Sequence, residues 1–324
     1  GIAPEAEISM EMDPGTFDEQ RLKAFTKAGV NRVSLGVQSF DPELLKSAGR
    51  AHTQEDTKRA LQDLEKVGVD NFGIDLISGL PHLTKEKWAE TLDLAIKSGA
   101  RHISVYDLQI EEGTAFGRWY SPGLAPLPSD AQSAEMYRMG SQQLKEAGFD
   151  HYEVSNYALP GYQSRHNRIY WESKPFLAFG NAAASYLGGF RFSRPRGIAD
   201  YIEWVDKLEQ QGWNTASEED RYFDSDQERK QECLLESLMV GLRLSEGFSL
   251  TGIRQFFGDD KTNLALKGLA ICGTLDINDE NVSSMLISEN KDPVKSGHDN
   301  LVIYNKETDV LYLSDPEGFL VSNQ

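Results

Sequence analysis

Residues 165–171 read RHNRIYW: one histidine flanked by arginine and asparagine and followed at short range by tyrosine and tryptophan. An imidazole nitrogen of His166 can ligate a metal. The rings of Tyr170 and Trp171 can lie against a flat apolar ligand, and Arg165 or Arg168 can meet carboxylates. What that imidazole binds, if anything, the rest of the chain must decide. Composition alone favours a plainer reading, a histidine hydrogen-bonded inside a loop with both aromatics in the core. Four further polar residues share one setting: Glu11, Gln38, Asp75 and Gln109 each fall late in, or just beyond, a run of apolar side chains. Any one of them fits a capping role as well as a binding role, whereas four in register point to a shared pocket.

The remaining candidates carry less. His52, His82, His102, His151 and His298 show neither H-x-x-x-H nor H-E-x-x-H spacing, so zinc has little support. Neither a G-x-S-x-G elbow nor a Walker A pattern occurs. Cys233 and Cys272 sit in apolar stretches and read as small buried hydrophobes of a reducing compartment. FGNAAASYLGGFRFSRPRG (179–197) reads as a small-residue loop followed by Arg191, Arg194 and Arg196, a solvated basic surface able to meet carboxylates or a partner's acidic face.

Elements that would position these residues recur through the first half. AGVNRVSLGVQ, VGVDNFGIDLI, SGARHISVYDL and AGFDHYEVSNY each place a glycine (Gly29, Gly68, Gly99, Gly148) four residues before an apolar alternation starting at Val33, Phe72, Ile103 or Tyr152. Helical patterns precede the glycines, so each glycine reads as a helix C-terminal cap and each run as a strand. With the earlier strand EISMEM, this is a repeated βα unit whose spacing suits successive right-handed crossovers in a parallel sheet, either a (β/α) barrel or a doubly wound layer, and the polar residues at the strand ends favour the barrel. In a parallel barrel the strand C-termini share one face, where pockets are built. GLPHLT (79–84) and EEGTAF (111–116) are turn-rich loops placed to form its rim.

The formal net charge of −18 over 324 residues argues against nucleic acid and anionic membrane as partners. No run of 18 or more apolar residues occurs, so no transmembrane segment is expected. The two cysteines suit a reducing, intracellular setting, cytoplasm or organelle, with no targeting segment to be read. The chain opens on GIAPEAE without Met and closes on EGFLVSNQ, so it is expected to be cut at both ends.

EISMEMDPG, RVSLGVQSF, NFGIDLISGLP and HISVYDLQIEEGT, in this order and spacing, resemble consecutive strands of the radical S-adenosylmethionine (SAM) family that contains the oxygen-independent coproporphyrinogen III oxidases. The resemblance is densest over about residues 5–245 and closest to the heme chaperone branch, in which an H-N-x-x-Y-W motif sets the chaperones apart from the oxidases. It implies a SAM site at Glu11, Gln38, Arg50, Asp75 and Gln109. It also implies a heme motif of His166, Asn167, Tyr170 and Trp171, with His166 on the iron. The family's CxxxCxxC run, which holds a [4Fe-4S] cluster, has no counterpart among two cysteines, so the N-terminal portion of the barrel is expected to be missing. The family often has a histidine where this chain has Ala184, which leaves the second heme ligand open.

The fold class expected is α/β: a partial (β/α) barrel of radical SAM type over 1–215 with the heme-motif loop at its end, beside the SAM site. A small winged-helix-like domain over 216–324 follows, from a helix at 221–247, helices in SLTGIRQFFG and TNLALKGLA, and a hairpin in LVIYNKETDVLYLSD. Residues 220–324 hold 10 Lys and Arg against 19 Asp and Glu, which suits packing or protein contact better than phosphate. The function implied is heme binding and delivery to acceptor proteins, with SAM and a cluster in the intact form and a homodimer left open. The rival is an oxygen-independent coproporphyrinogen III oxidase.

Overall fold

The computed structural model describes residues 1–187, 190–211, 227–271, 275–276, 301–305 and 310–314. Cys272, His298 and most of the polar stretch before the hairpin lie outside them. The chain divides into two compact units, Gly1–His166 and Asn167–Gln324.

In the first unit β1 (Ser9–Met12), α1 (Glu19–Lys27), β2 (Arg32–Gln38), α2 (Pro42–Ser47), α3 (Gln54–Val67), β3 (Phe72–Ser78), α4 (Lys85–Lys97) and β4 (His102–Asp107) alternate as the repeated unit requires. Then come α5 (Ala115–Trp119), α6 (Asp130–Glu146), β5 (Asp150–Glu153) and β6 (Asn156–Ala158), and α7 (Arg165–Trp171) crosses into the second unit. The helices start where side chains satisfy free N–H groups: Asp18 accepts from Arg21 N, and Thr53 with Asp56 and Ser129 with Gln132 form capping boxes. They stop as the glycines dictate. Gly68 has φ 77° with open space around its Cα, and Val69 N–H reaches back to the Leu64 carbonyl at 3.0 Å, so the left-handed backbone itself is what demands glycine.

The sheet runs β1-β2-β3-β4-β6-β5, with the first four strands parallel. Its two faces differ sharply. Val33, Leu35, Val37, Ile74, Leu76 and Ile103 are all fully buried against the helices and form the core with Leu22, Leu64, Trp88 and Leu92. The alternate positions, Glu11, Arg32, Ser34, Asp75, His102 and Ser104, line the other face, which in a curling sheet is the inside.

The fourth repeat departs from expectation. AGFDHYEVSNY makes two short strands joined by a tight turn, in which Glu153 accepts from Ser155 N and from the Asn156 amide. It is β6, antiparallel to both its neighbours, that pairs with β4, while β5 runs in the direction of the first four strands but lies at the sheet's edge. This reversal carries the chain from the C-terminal back to the N-terminal end of the parallel strands.

In the second unit, β7 (Ala184–Leu187) and β8 (Phe190–Ser193) form an antiparallel pair where a loop was expected. α8 (Ile198–Gln211), α9 (Gln227–Gly241), β9 (Phe248–Ser249), α10 (Thr251–Phe257), α11 (Asp259–Ile271), β10 (Leu275–Asp276), β11 (Leu301–Asn305) and β12 (Val310–Ser314) follow. The last strands make a sheet ordered β10-β11-β12-β9, with the expected hairpin pairing of β11 and β12. Cys233 is buried on α9, as expected of a small hydrophobe. No helix among the described residues is long and apolar enough to cross a membrane.

Candidate functional site

On the inner face, Glu11 is the register partner of Ser34, whose hydroxyl donates to Asp75 at 2.9 Å, and Asp75 is in turn the partner of Ser104. Burial pushes the Asp75 carboxyl above its ordinary range; hydrogen bonds from Ser104 and Ser34 oppose that, while the nearby charge of Glu11 adds to it. Tyr106, two residues further along β4, is likewise pushed up, first by burial and then by the charge of Asp75. With Glu153 beyond them, these groups make the inner face acidic.

A second group forms at the end of β2. Gln38 has φ 63°, a left-handed backbone that a non-glycine residue holds only under strain, and its amide lies over Gly36. Arg50 is placed by its own turn, Gly49 at φ 66° with the Arg50 N–H on the Leu45 carbonyl, and its guanidinium donates to Asp13 at 2.6 Å. An added Cβ on Gly36 would stand 2.6 Å from Asp13 Oδ1 and 3.1 Å from Gln38 Nε2. Both are ends of side chains that can give way. Gly36→Ala is therefore expected to change stability by less than about 1 kcal/mol while prising Asp13 from Arg50, lowering affinity for SAM about tenfold; calorimetric titration beside a thermal melt checks both.

Four of the five expected SAM contacts thus fall into two groups, Glu11 with Asp75 and Gln38 with Arg50. Gln109 lies two residues past β4, exposed and outside both. Missed from the sequence were Asp13, Gly36, Ser34 and Ser104; the period-two polar pattern of RVSLGVQ was the signal for Ser34 and Gly36. Asp107 was missed too: it accepts from Ser78 at 3.1 Å, and burial raises its carboxyl. EEGTAF leads into α5, whose Phe116 and Trp119 meet edge to face, with Trp119 exposed.

At the other end of the same face, Arg32 is 5% exposed, donates to the Tyr162 carbonyl at 3.0 Å and pairs with Glu7 at 3.7 Å. His102 beside it is buried against Gly73, with Nε2 2.8 Å from the Tyr152 hydroxyl. Burial, and secondly the charge of Arg32, lower its pKa from 6.5 to about 3. A base so depressed takes up its proton in the unfolded chain first, so stability falls as pH drops below 6.5 and goes on falling to about 3. His102→Gln keeps a hydrogen bond to Tyr152 and should flatten that decline by about 1.4 kcal/mol per pH unit, read from urea midpoints between pH 4 and 7.

His52 and His151 are buried in hydrogen bonds as well, His52 to the Val37 carbonyl and His151 stacked on Tyr157 at 4.0 Å. Like His82, His166 is exposed. Its backbone N–H lies 3.3 Å from Glu7 Oε1, before β1 begins, and Arg165 donates to the Glu5 carbonyl at 2.8 Å. His166 therefore starts α7 at the N-terminal end of the parallel strands, not at the end that carries Gln38, Arg50 and Gln109. The expectation that the heme motif sits beside the SAM contacts is corrected, and the reason is the antiparallel β6.

In the second unit, Tyr170 meets Phe176 edge to face at 4.6 Å, and Arg243 lies 4.4 Å over the ring of Trp171, whose indole nitrogen is buried without a partner among the described residues. Arg168 donates to Glu172 at 2.7 Å and to Glu246. Of the three later arginines, Arg194 is buried between Phe192 and Trp204 and donates to Ser185, while Arg191 pairs with Glu236. Their reading as one exposed basic patch is corrected, because the β7–β8 pairing sends alternate side chains to opposite faces.

Residues 2–95 match the profile of the Radical SAM superfamily. The heme chaperone HemW of Synechocystis sp. is 38% identical, over 100% of this chain and 74% of that protein. The heme chaperone HemW of Bacillus subtilis is 31% identical over 83% of this chain and 69% of its own length. Among solved structures, coproporphyrinogen III oxidase (HemN) from Escherichia coli, a radical SAM enzyme, superposes with a TM-score of 0.63 at 22% identity, covering 82% of this chain and 62% of that one. At that identity the likeness is one of fold, and it is the fold that the repeated βα units led us to expect.

Proposed function

Because the chain belongs to the HemW family of radical SAM proteins, we propose that it binds heme through α7 and delivers it to acceptor proteins, with SAM held on the inner face of the sheet. The observation that carries the heme reading is that His166, within the H-N-x-x-Y-W run, is exposed at its side chain and tethered at its backbone. A tethered, exposed imidazole is what an exchangeable iron ligand requires: its own ordering is already accounted for, and nothing has to unfold for the iron to leave. Asn167, Tyr170 and Trp171 complete the motif.

The acidic inner face supports the SAM reading. SAM carries a sulfonium and an ammonium, for which Glu11 and Asp75 are the complementary charges. Gln38 can meet its ribose or adenine, and Gln109 stands past the strand ends on the same side. Arg50 has five donors, enough to keep Asp13 and take the SAM carboxylate. When bound with a reduced cluster, SAM supplies radical chemistry. The [4Fe-4S] cluster itself does not fit this chain, which has two cysteines, one of them buried on α9. No step is drawn through it.

The test is a handover assay. The heme-loaded chain is mixed with a heme-free b-type cytochrome, and the transfer rate is followed against acceptor concentration. A rate that climbs with acceptor concentration is expected of delivery; a rate fixed at the spontaneous off-rate would overturn it.

A further inference from the structure

We propose that Glu7 is a positioning residue for the heme ligand His166, acting through the first turn of α7; the inference rests on the reading of His166 as that ligand. The five residues that end at His166 are held at four places along the strand N-termini. Arg32 donates to the Tyr162 carbonyl at 3.0 Å, Ser164 N–H donates to the Tyr152 hydroxyl at 3.3 Å, Arg165 reaches the Glu5 carbonyl at 2.8 Å, and the His166 N–H meets Glu7 at 3.3 Å.

Glu7 is suited to the task because its two oxygens are divided. Oε1 faces the His166 N–H and also accepts from the Ser9 hydroxyl at 3.3 Å, and Oε2 faces the buried Arg32 guanidinium at 3.7 Å, with the Glu7 side chain only 11% exposed. The Oε1 end thus takes the N–H of the residue that bears the imidazole, while Arg32 lies against the other oxygen. A helix has free N–H groups in its first turn, and α7 finds its acceptor here in a side chain 159 residues away. Partners that orient a metal ligand at one remove typically alter affinity about 10- to 100-fold when lost.

The two conservative substitutions separate positioning from simple ion pairing. Glu7→Gln keeps an acceptor at the reach of Oε1 but gives up the charge facing Arg32. Glu7→Asp keeps the charge and draws the acceptor back by one methylene. We expect Glu7→Gln to hold heme with wild-type affinity and Soret band. Glu7→Asp should bind about tenfold more weakly, with a shifted Soret maximum and a faster off-rate. The reverse order, or wild-type behaviour in both, overturns the proposal. His166→Ala is titrated alongside: if it alone changes the spectrum, the ligand reading stands and the positioning role of Glu7 fails. If it too matches wild type, the ligand reading has failed and the positioning role with it.

Discussion

Asp75→Asn is expected to bind SAM about 100-fold more weakly than the wild type and yet to unfold at a higher temperature. The carboxyl is largely buried, its two hydroxyl partners are neutral, and of the inner-face charges that act on it Glu11, of like sign, raises it while Arg32 opposes. Burial therefore raises its pKa, and the sign of the stability effect follows. A carboxyl raised in the folded state holds its proton longer there than in the unfolded chain, so folding loses stability as pH climbs past the ordinary value of 3.8. Above that value the ionised form of Asp75 is a cost borne by the fold. Asparagine removes the charge and can still satisfy Ser34 and Ser104, because their hydroxyls rotate to accept as well as donate. The gain should be about 0.5–2 kcal/mol, read from thermal melts, and the loss of affinity should show in the same preparation by calorimetry. A variant that gains stability and loses the ligand is the signature of a group kept for binding.

Arg32→Met should act in the opposite direction, lowering stability by about 3–5 kcal/mol. The methionine fills the volume of the side-chain stem, but the Glu7 carboxylate and the Tyr162 carbonyl lose their cationic partner in a place that water hardly reaches. A second readout separates this from a packing defect. Arg32 is one of the two causes that hold His102 near a pKa of 3, so its removal should raise the His102 midpoint, and the His102-linked decline below pH 6.5 should level off at a higher pH than in the wild type. An unchanged acid limb would mean that Arg32 does not face His102 as described.

Much of this arrangement was legible in the sequence because period and punctuation dictate it. The alternation in RVSLGVQ places Val33, Leu35 and Val37 in the core and leaves Arg32, Ser34 and Gly36 on the other face, and the glycines that end the helices all have positive φ. That Asp75 lies on the face opposite the core could be read from the same pattern. The fourth repeat could not, since AGFDHYEVSNY has the same local signal as its three predecessors. What differs is a turn at Glu153 and Asn156 that decides pairing direction, and direction is a property of two strands together. That one reversal moved His166 to the opposite end of the sheet. The contact between Glu7 and His166 joins residues far apart in the chain and has no local signal at all. Arg194 is the converse case: three arginines in six residues look like a basic surface until strand pairing buries one of them between aromatic rings.

The central claim is that the imidazole of His166 ligates heme iron, and a heme titration of the wild-type chain beside His166→Ala, followed by the Soret band, tests it most directly. The account predicts saturable one-to-one binding with an imidazole-ligated spectrum in the wild type. In His166→Ala the affinity should fall about 10-fold or more, with a displaced Soret maximum and an unchanged thermal melt, because the side chain is exposed and the backbone tether to Glu7 is retained. Superimposable titrations and spectra for the two proteins would contradict it.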